Sequence, residues 1–348
     1  MTGRPPDPAA WDAVVEANPH GSYLQLAAWA EVKAVNGWRV ARFVDEDAGI
    51  AAQVLGRRPG PLPWAWAYAP RGPVVRDWTP AAVAEATATF RRELPPMLGR
   101  VSHLTIDPEV ELDGPDDADG RLRAALDDAG WTPAPPVQPD RSRVIDLRAD
   151  EAALWGDLRG KWRQYVNRAR TGGVRIVEAD EARLPEFYAI YRETAVRAGF
   201  IIRAESAYRD AWRAFSAAGR ARLLFAESAE GEALATLFLI RCGARVVEPY
   251  GGMTQAGADS RANYLLKWEA IRSSREAGAL EYDLWGLSHP GIAHFKAGFG
   301  GREIRYIGAW NLVLDPIGHA TFRAARRGQV WIARRRHGLS DAAPAGAE

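Results

Sequence analysis

The sequence predicts a mixed α/β protein made of two similar halves. Three observations predict it: one order of elements occurs twice, the spacings of the two copies agree, and the length suits two cores. Within residues 39–75 three strand-like runs, RVARFVDED, GIAAQVLGRR and WAWAYAPRGPVV, are broken by acidic and Gly/Pro turns. Residues 221–253 repeat this order in ARLLFAES, GEALATLFLIRCG and ARVVEPYGGM. Each triplet leads into a helix and a further strand. In the first half Thr79-Pro80 opens a helix to about Met97, followed by VSHLTID. In the second, Asp259-Ser260 cap a helix to about Ala277, followed by ALEYDLWGL. The step from Phe43 to Ile106 nearly equals that from Phe225 to Trp285. Helices over 22–36 and 184–198 precede the two triplets, so each half reads α-βββ-α-β with one more strand after it.

A central sheet in this order, with helices on both faces, is the plan of the GCN5-related N-acetyltransferase fold. The expectation is a tandem of such domains, residues 1–149 and 150–316, without a coiled-coil insertion. The Pro-rich stretch 133–139 and the strand RVIDL close the first domain, and a last helix over 317–338 packs back on it.

Composition narrows the function. With 348 residues, 26% charged and 47% hydrophobic, the chain is long enough for two real cores. A formal charge of +1 argues against a dedicated nucleic-acid coat, although local basic patches still hold polyanions. The single cysteine, Cys242, excludes an internal disulfide and sits in an apolar run as a small core residue. The N-terminal sequence lacks a charged start followed by an apolar core, and no run of about eighteen apolar residues occurs. The reading therefore expects a cytoplasmic protein, neither exported nor membrane-spanning.

The segment YDLWGLSHPGIAHFKAGFGG (282–301) runs from an apolar strand into a glycine-rich loop that carries one lysine, Lys296. An ammonium so placed suits a phosphate or a developing oxyanion. Acetyl-CoA enzymes of this fold cradle pyrophosphate in Arg/Gln-x-x-Gly-x-Gly/Ala. Here Arg170-Thr-Gly-Gly173 and Arg275-Glu-Ala-Gly278 begin correctly but close on Arg175 and Leu280, which argues against CoA. His289 and His294 lack a carboxylate to complete a zinc site, and no Gly-x-Ser-x-Gly elbow is present, so no metal or other cofactor is expected.

Six segments in order carry a family resemblance: HGSYLQLAAWAEVKAVNGW (20–38), YAPRGPVV (68–75), LTIDPEV (104–110), KWRQYVNRARTGGVRI (161–176), NYLLKWEAIRSSREAGALEYDLWGL (263–287) and FKAGFGG (295–301). Together they resemble the FemABX peptidyltransferases, which use aminoacyl-tRNA to add amino acids to the side chain of peptidoglycan precursors. That family has a pair of acetyltransferase-like domains, and this chain resembles its compact type, which adds the first residue of the interpeptide bridge. The resemblance implies attack by a precursor amine on the ester of an aminoacyl-tRNA, with UDP-MurNAc-pentapeptide or lipid II as acceptor. The first domain would then bind the precursor and the second would face the aminoacyl-tRNA. A monomer is expected, touching the inner membrane face peripherally if the acceptor is lipid-linked.

The same resemblance places functional residues. Lys33 matches a phosphate-binding lysine and Arg203 an arginine that grips the same diphosphate. The family tyrosine four positions after the arginine is replaced by Ala207, with Tyr208 one later; Tyr250 matches a tyrosine lining the precursor site. Lys296 resembles the lysine that stabilises the oxyanion, and Phe295 its neighbour on which the terminal adenosine stacks. Asp107 stands at a position regarded as a general base. An exposed carboxylate of pKa about 4 suits an ammonium of pKa about 10 poorly, so it is expected to orient at most. The helix 154–170 carries Lys161, Tyr165 and Arg168 on one face, suited to tRNA phosphates. In the tail helix Arg323, Arg326, Arg327 and Arg334 to Arg336 suit tRNA or anionic headgroups. Two rival readings are the same chemistry on a natural-product amine, and a non-catalytic or acyl-CoA-using protein of the same fold.

Overall fold

A computed structural model of the protein describes residues 7–46, 48–287 and 289–325. The chain begins with α1 (Pro8–Glu16) and α2 (Ala27–Ala34), then β1 (Arg39–Asp45), β2 (Ile50–Arg57), β3 (Ala65–Ala69) and β4 (Val74–Val75). Next come α3 (Pro80–Leu98), β5 (Val101–Ile106), α4 (Arg121–Asp128), β6 (Trp131–Ala134) and β7 (Arg141–Asp146). The middle of the chain forms α5 (Glu151–Asp157), α6 (Gly160–Thr171), β8 (Arg175–Ala179), α7 (Leu184–Ala198) and α8 (Glu205–Ala217). A second triplet, β9 (Ala221–Glu227), β10 (Ala233–Cys242) and β11 (Arg245–Met253), precedes α9 (Gln255–Ser260) and α10 (Ala262–Glu276). The last elements are β12 (Glu281–Asp283), α11 (Pro290–Ala297), β13 (Arg302–Arg305), β14 (Ala309–Val313) and a helix over 316–325.

These elements form two units, each around one sheet. The first holds the described residues up to Asp140 and from Tyr306 onward, and the second holds Arg141–Arg305. Sheet order is β1-β2-β3-β5-β14-β6 in the first, with β4 beside β2, and β13-β7-β12-β11-β10-β9-β8 in the second. In both, an antiparallel triplet is followed by a parallel neighbour, β5 beside β3 and β12 beside β11. The βββ-α-β order read from the sequence is present twice.

Strand assignment departs from the sequence reading at the joints. RVIDL forms β7 and lies in the second sheet, between β12 and β13, while β14 lies in the first, between β5 and β6. The division therefore falls after Asp140 rather than after residue 149. Local periodicity marks these segments as strands but carries no information about which sheet edge receives them. The helix over 316–325 belongs to the first unit: Phe322 lies against His103 (4.9 Å between ring centroids), and Trp64 Nε1 donates to Asp315 (2.6 Å). Of the tail arginines, Arg326, Arg327 and Arg334 to Arg336 lie outside the described residues.

Capping and burial explain the main helices. Thr79 accepts from the Ala82 N–H (3.1 Å) to start α3, and Gly99, at φ +82°, ends it. The α3 side chains Phe90, Leu94 and Leu98 are almost fully buried in a cluster with Val54, Leu104 and Trp131. The second core gathers Leu237, Leu239, Leu266, Trp268 and Phe299. Cys242 is buried, as its apolar setting implies. Among the described residues no helix is long and apolar enough to cross a membrane.

Candidate active site

In the second unit, β11 is nine residues long but pairs with β12 only through Arg245, Val246 and Val247. After Asp283 the chain leaves this partner, and the Leu284 N–H turns instead to the carbonyl of Arg143 on β7 (2.9 Å). The parallel strands therefore part beyond Val247 and Asp283 and leave a wedge beside the rest of β11. In the first unit β3 stays paired with β5 along its whole length, so the equivalent pair does not open. A parted pair of parallel strands leaves backbone groups beyond its apex without a partner strand.

The turn after β12 is built for a cation. Trp285 and Gly286 both have positive φ, 51° and 47°. For tryptophan this conformation costs about 1–2 kcal/mol and persists only where neighbours impose it. Asp283 accepts from the Trp285 N–H (2.7 Å) and from the Ser142 hydroxyl. The Lys296 ammonium then donates to the carbonyls of Trp285 and Gly286, the latter at 2.8 Å. An ammonium has three N–H bonds. Two are used here, and among the described residues the third has no protein acceptor.

Lys296 does not sit in the loop that its glycines suggest. It is in the last turn of α11, which Pro290 starts; proline at the first helical turn loses no hydrogen bond, so the segment folds as a helix despite its glycine. Burial is the main reason that the Lys296 pKa falls to about 8, and Lys267 adds to the fall, whereas Glu248 and Asp283 oppose it. Phe295 is half-buried among Tyr264 and Phe299, with ring centroids at 5.1 and 5.3 Å, and its carbonyl accepts from Trp162 Nε1 (3.0 Å). The expected helix 154–170 divides into α5 and α6 where Leu158 and Arg159 are extended. Lys161 and Arg168 are exposed on α6, and Lys161 lies 5.7 Å from the Tyr165 ring.

Beneath the wedge lies a polar group that the sequence reading missed. Glu248 follows the last β11 residue paired with β12 and is 6% exposed; Lys267 of α10, 4% exposed, forms an ion pair with it, and the Tyr282 hydroxyl donates to it (2.8 Å). Two buried ions are costly unless paired. A signal was available: all but four of the 45 lysines and arginines are arginine, and the four lysines are Lys33, Lys161, Lys267 and Lys296.

Arg203, Tyr208 and Tyr250 come together elsewhere on the second unit. Tyr208 is buried against Tyr250 (5.0 Å, 87° between rings), and its hydroxyl accepts from the backbone N–H of the exposed Arg203 (3.1 Å). Burial raises the Tyr208 phenol to about 12 and raises that of Tyr250 as well. Between the pairs Phe238–Tyr250 and Ile240–Val247 one residue of β10, Leu239, opposes two of β11, Glu248 and Pro249. This bulge breaks the alternation, so Glu248 turns to α10 while Tyr250 turns to α7 and α8.

Lys33 and Asp107 belong to the first unit. Asp12 accepts from the Ala27 N–H (2.7 Å) at the start of α2, and the Trp11 indole donates to the Gln25 carbonyl (2.7 Å). The helix so anchored carries Lys33 with its ammonium 4.7 Å from the Trp29 ring and 5.8 Å from that of Trp38. Asp107 is not the exposed carboxylate assumed from its turn sequence. It is 3% exposed and accepts from the Tyr68 hydroxyl (2.8 Å) and the backbone N–H groups of Arg71 (2.7 Å) and Gln138 (3.2 Å). Burial lifts its pKa to about 6 against the pull of Arg71 and these hydrogen bonds. Three donors on one buried carboxylate tie together the segments around 70 and 138.

Residues 156–297, from the end of α5 to the residue after Lys296, match the acetyltransferase (GNAT) domain family. The crystal structure of FemX aligns with 90% of this chain and 98% of its own, with a TM-score of 0.80 at 20% identity. The fold is that of FemX. The FemX fold supplies the tandem acetyltransferase-like plan read from the sequence, without a coiled-coil insertion among the described residues. Curated relatives include the lipid II:glycine glycyltransferases of Staphylococcus aureus (strain MRSA252), 29% identical over 61% of this chain and 52% of the relative. That of Staphylococcus saprophyticus is 28% identical over 62% and 53%. The chain thus spans about half the length of the curated relatives it matches.

Proposed function

We propose that this protein is an aminoacyltransferase that moves an amino acid from aminoacyl-tRNA to the side-chain amine of a peptidoglycan precursor, as a step of interpeptide bridge formation. The observation that carries the reading is the wedge in the second unit, with the Lys296 ammonium held at the turn beside it. The names of the relatives, lipid II:glycine glycyltransferase, support lipid II as acceptor and glycine as one donor residue to try.

The chemistry asks little of the protein beyond placement and charge. A neutral amine attacks the ester carbonyl, the C–N bond forms, and the oxygen becomes an oxyanion facing the third N–H of Lys296. Collapse breaks the C–O bond to the ribose, and the proton lost by the amine ends on the ribose hydroxyl. No covalent enzyme intermediate is formed. Phe295 offers a ring to the terminal adenosine, and Lys161 and Arg168 offer charge to tRNA phosphates. Lys33 on the first unit offers a charge to phosphate, and on the second unit Arg203 offers a charge beside the rings of Tyr208 and Tyr250 to the precursor.

The test incubates purified protein with a total charged tRNA pool and either UDP-MurNAc-pentapeptide or lipid II, then measures precursor mass. A gain of one amino-acid residue is expected. No gain with either acceptor, for stems carrying lysine, ornithine or diaminopimelate, would overturn the reading.

A further inference from the structure

Lys267 is one of four lysines in a chain that otherwise uses arginine for its basic residues, and the most deeply buried of the three on the second unit. It lies in α10 under the wedge and touches both halves of the floor. Its ammonium pairs with Glu248, the first residue of β11 beyond the last pairing with β12. The same ammonium lies 5.6 Å from the ring of Phe295, the α11 residue before Lys296, and 6.0 Å from the Phe299 ring. Glu248 is held in turn by the Tyr282 hydroxyl at 2.8 Å. A compact ammonium packs against these aromatic faces while it pairs with the carboxylate.

We propose that Lys267 and Glu248 form a buried positioning pair for the wedge, in which Lys267 supports the Phe295 ring from behind and acts on the ammonium of Lys296 through its charge. The role given to Lys296 and Phe295 rests on the aminoacyltransferase reading; the pair itself rests on geometry alone. The charged groups bearing on Lys296 come from three elements: Glu248 of β11 and Asp283 of β12 favour its protonation, and Lys267 of α10 disfavours it. An ammonium of lowered pKa is the stronger hydrogen-bond donor toward a developing oxyanion, and a like charge fixed in the core is a direct way to lower it.

Four lysines allow a direct test. In protein labelled with lysine carrying carbon-13 at the ε position, each lysine gives one NMR signal, assigned by its loss in single variants, and the Lys296 signal is followed against pH. Lys267→Met is expected to move the Lys296 midpoint upward, because a repelling charge is gone and Glu248 remains. Lys267→Gln, which keeps a donor for Glu248, gives the same reading if the methionine variant does not fold. Lys267→Arg retains the charge and is expected to leave the midpoint in place. An unchanged or lowered midpoint in a folded Lys267→Met or Lys267→Gln protein would overturn the proposal, since a purely packing role moves no titration. The measurement needs no substrate, so it stands or falls separately from transfer activity.

Discussion

At the residue scale, Lys296 and Asp107 present opposite cases of a perturbed group. In the proposed reaction the Lys296 ammonium acts only while protonated, so its contribution is expected to be complete well below pH 8 and to fade as pH rises through about 8. The acceptor amine must lose its proton, so turnover against pH is expected to be bell-shaped, with the alkaline limb set by Lys296. Lys296→Met is expected to lower kcat by about 100-fold or more, the scale of losing one oxyanion donor, with the stem-peptide KM little changed. The folded lysine binds its proton less well than the unfolded one. Stability should therefore rise with pH between about 8 and the ordinary 10.5. For Asp107 the sign reverses: its folded pKa is raised from 3.8 to about 6, so its contribution to stability declines as pH climbs through that window. Urea unfolding of wild type against Asp107→Asn at pH 4 and pH 6 checks this; the difference should move against the wild type at the higher pH. Asp107→Ala strands three buried donors, two of them backbone N–H groups, and is expected to cost about 3 kcal/mol or more in urea unfolding. Loss of kcat at unchanged stability would instead make it a catalytic group.

At the element scale, α11 decides whether Lys296 is in place. Its C-terminal end is fixed by contact with α6: the Trp162 indole donates to the Phe295 carbonyl, and a Cβ built at Gly298 would run into the same indole. Gly298→Ala is expected to displace the end of α11 and cut kcat by tenfold or more, while urea unfolding shows a loss of about 1–3 kcal/mol. Trp162→Phe removes the donor and shrinks a buried ring, and should cost about 1–3 kcal/mol. This element also shows what the sequence carried and what it did not. The triplets and α3 were legible because β-branched and aromatic runs alternate with turns, and because Thr79-Pro80 and Gly99 punctuate the helix. The short α11 was not, since Gly291, Gly298 and the glycines that follow weigh against a helix in any local reading. Lys267 was passed over for a different reason. A lysine on an amphipathic helix reads as solvated, and only the partner across the sheet, Glu248, accounts for its burial.

At the scale of the whole molecule, only the first unit is discontinuous in sequence: β7 opens the second unit, and β14 returns to the first sheet after that unit is complete. Residues 141–305 form a contiguous unit and are expected to fold when expressed alone, with cooperative urea unfolding. A fragment of residues 150–316 lacks β7, the strand between β12 and β13, and is expected to lack dispersed NMR signals. The long-range pairings behind this were not legible from strand patterns, because the alternation in RVIDL fits either sheet. A ribosome makes the consequence concrete. The first unit cannot close its sheet until residue 313 has emerged, so the half that is synthesised first is completed last. Until then β5 and β6 wait with open edges while the later half takes its final form.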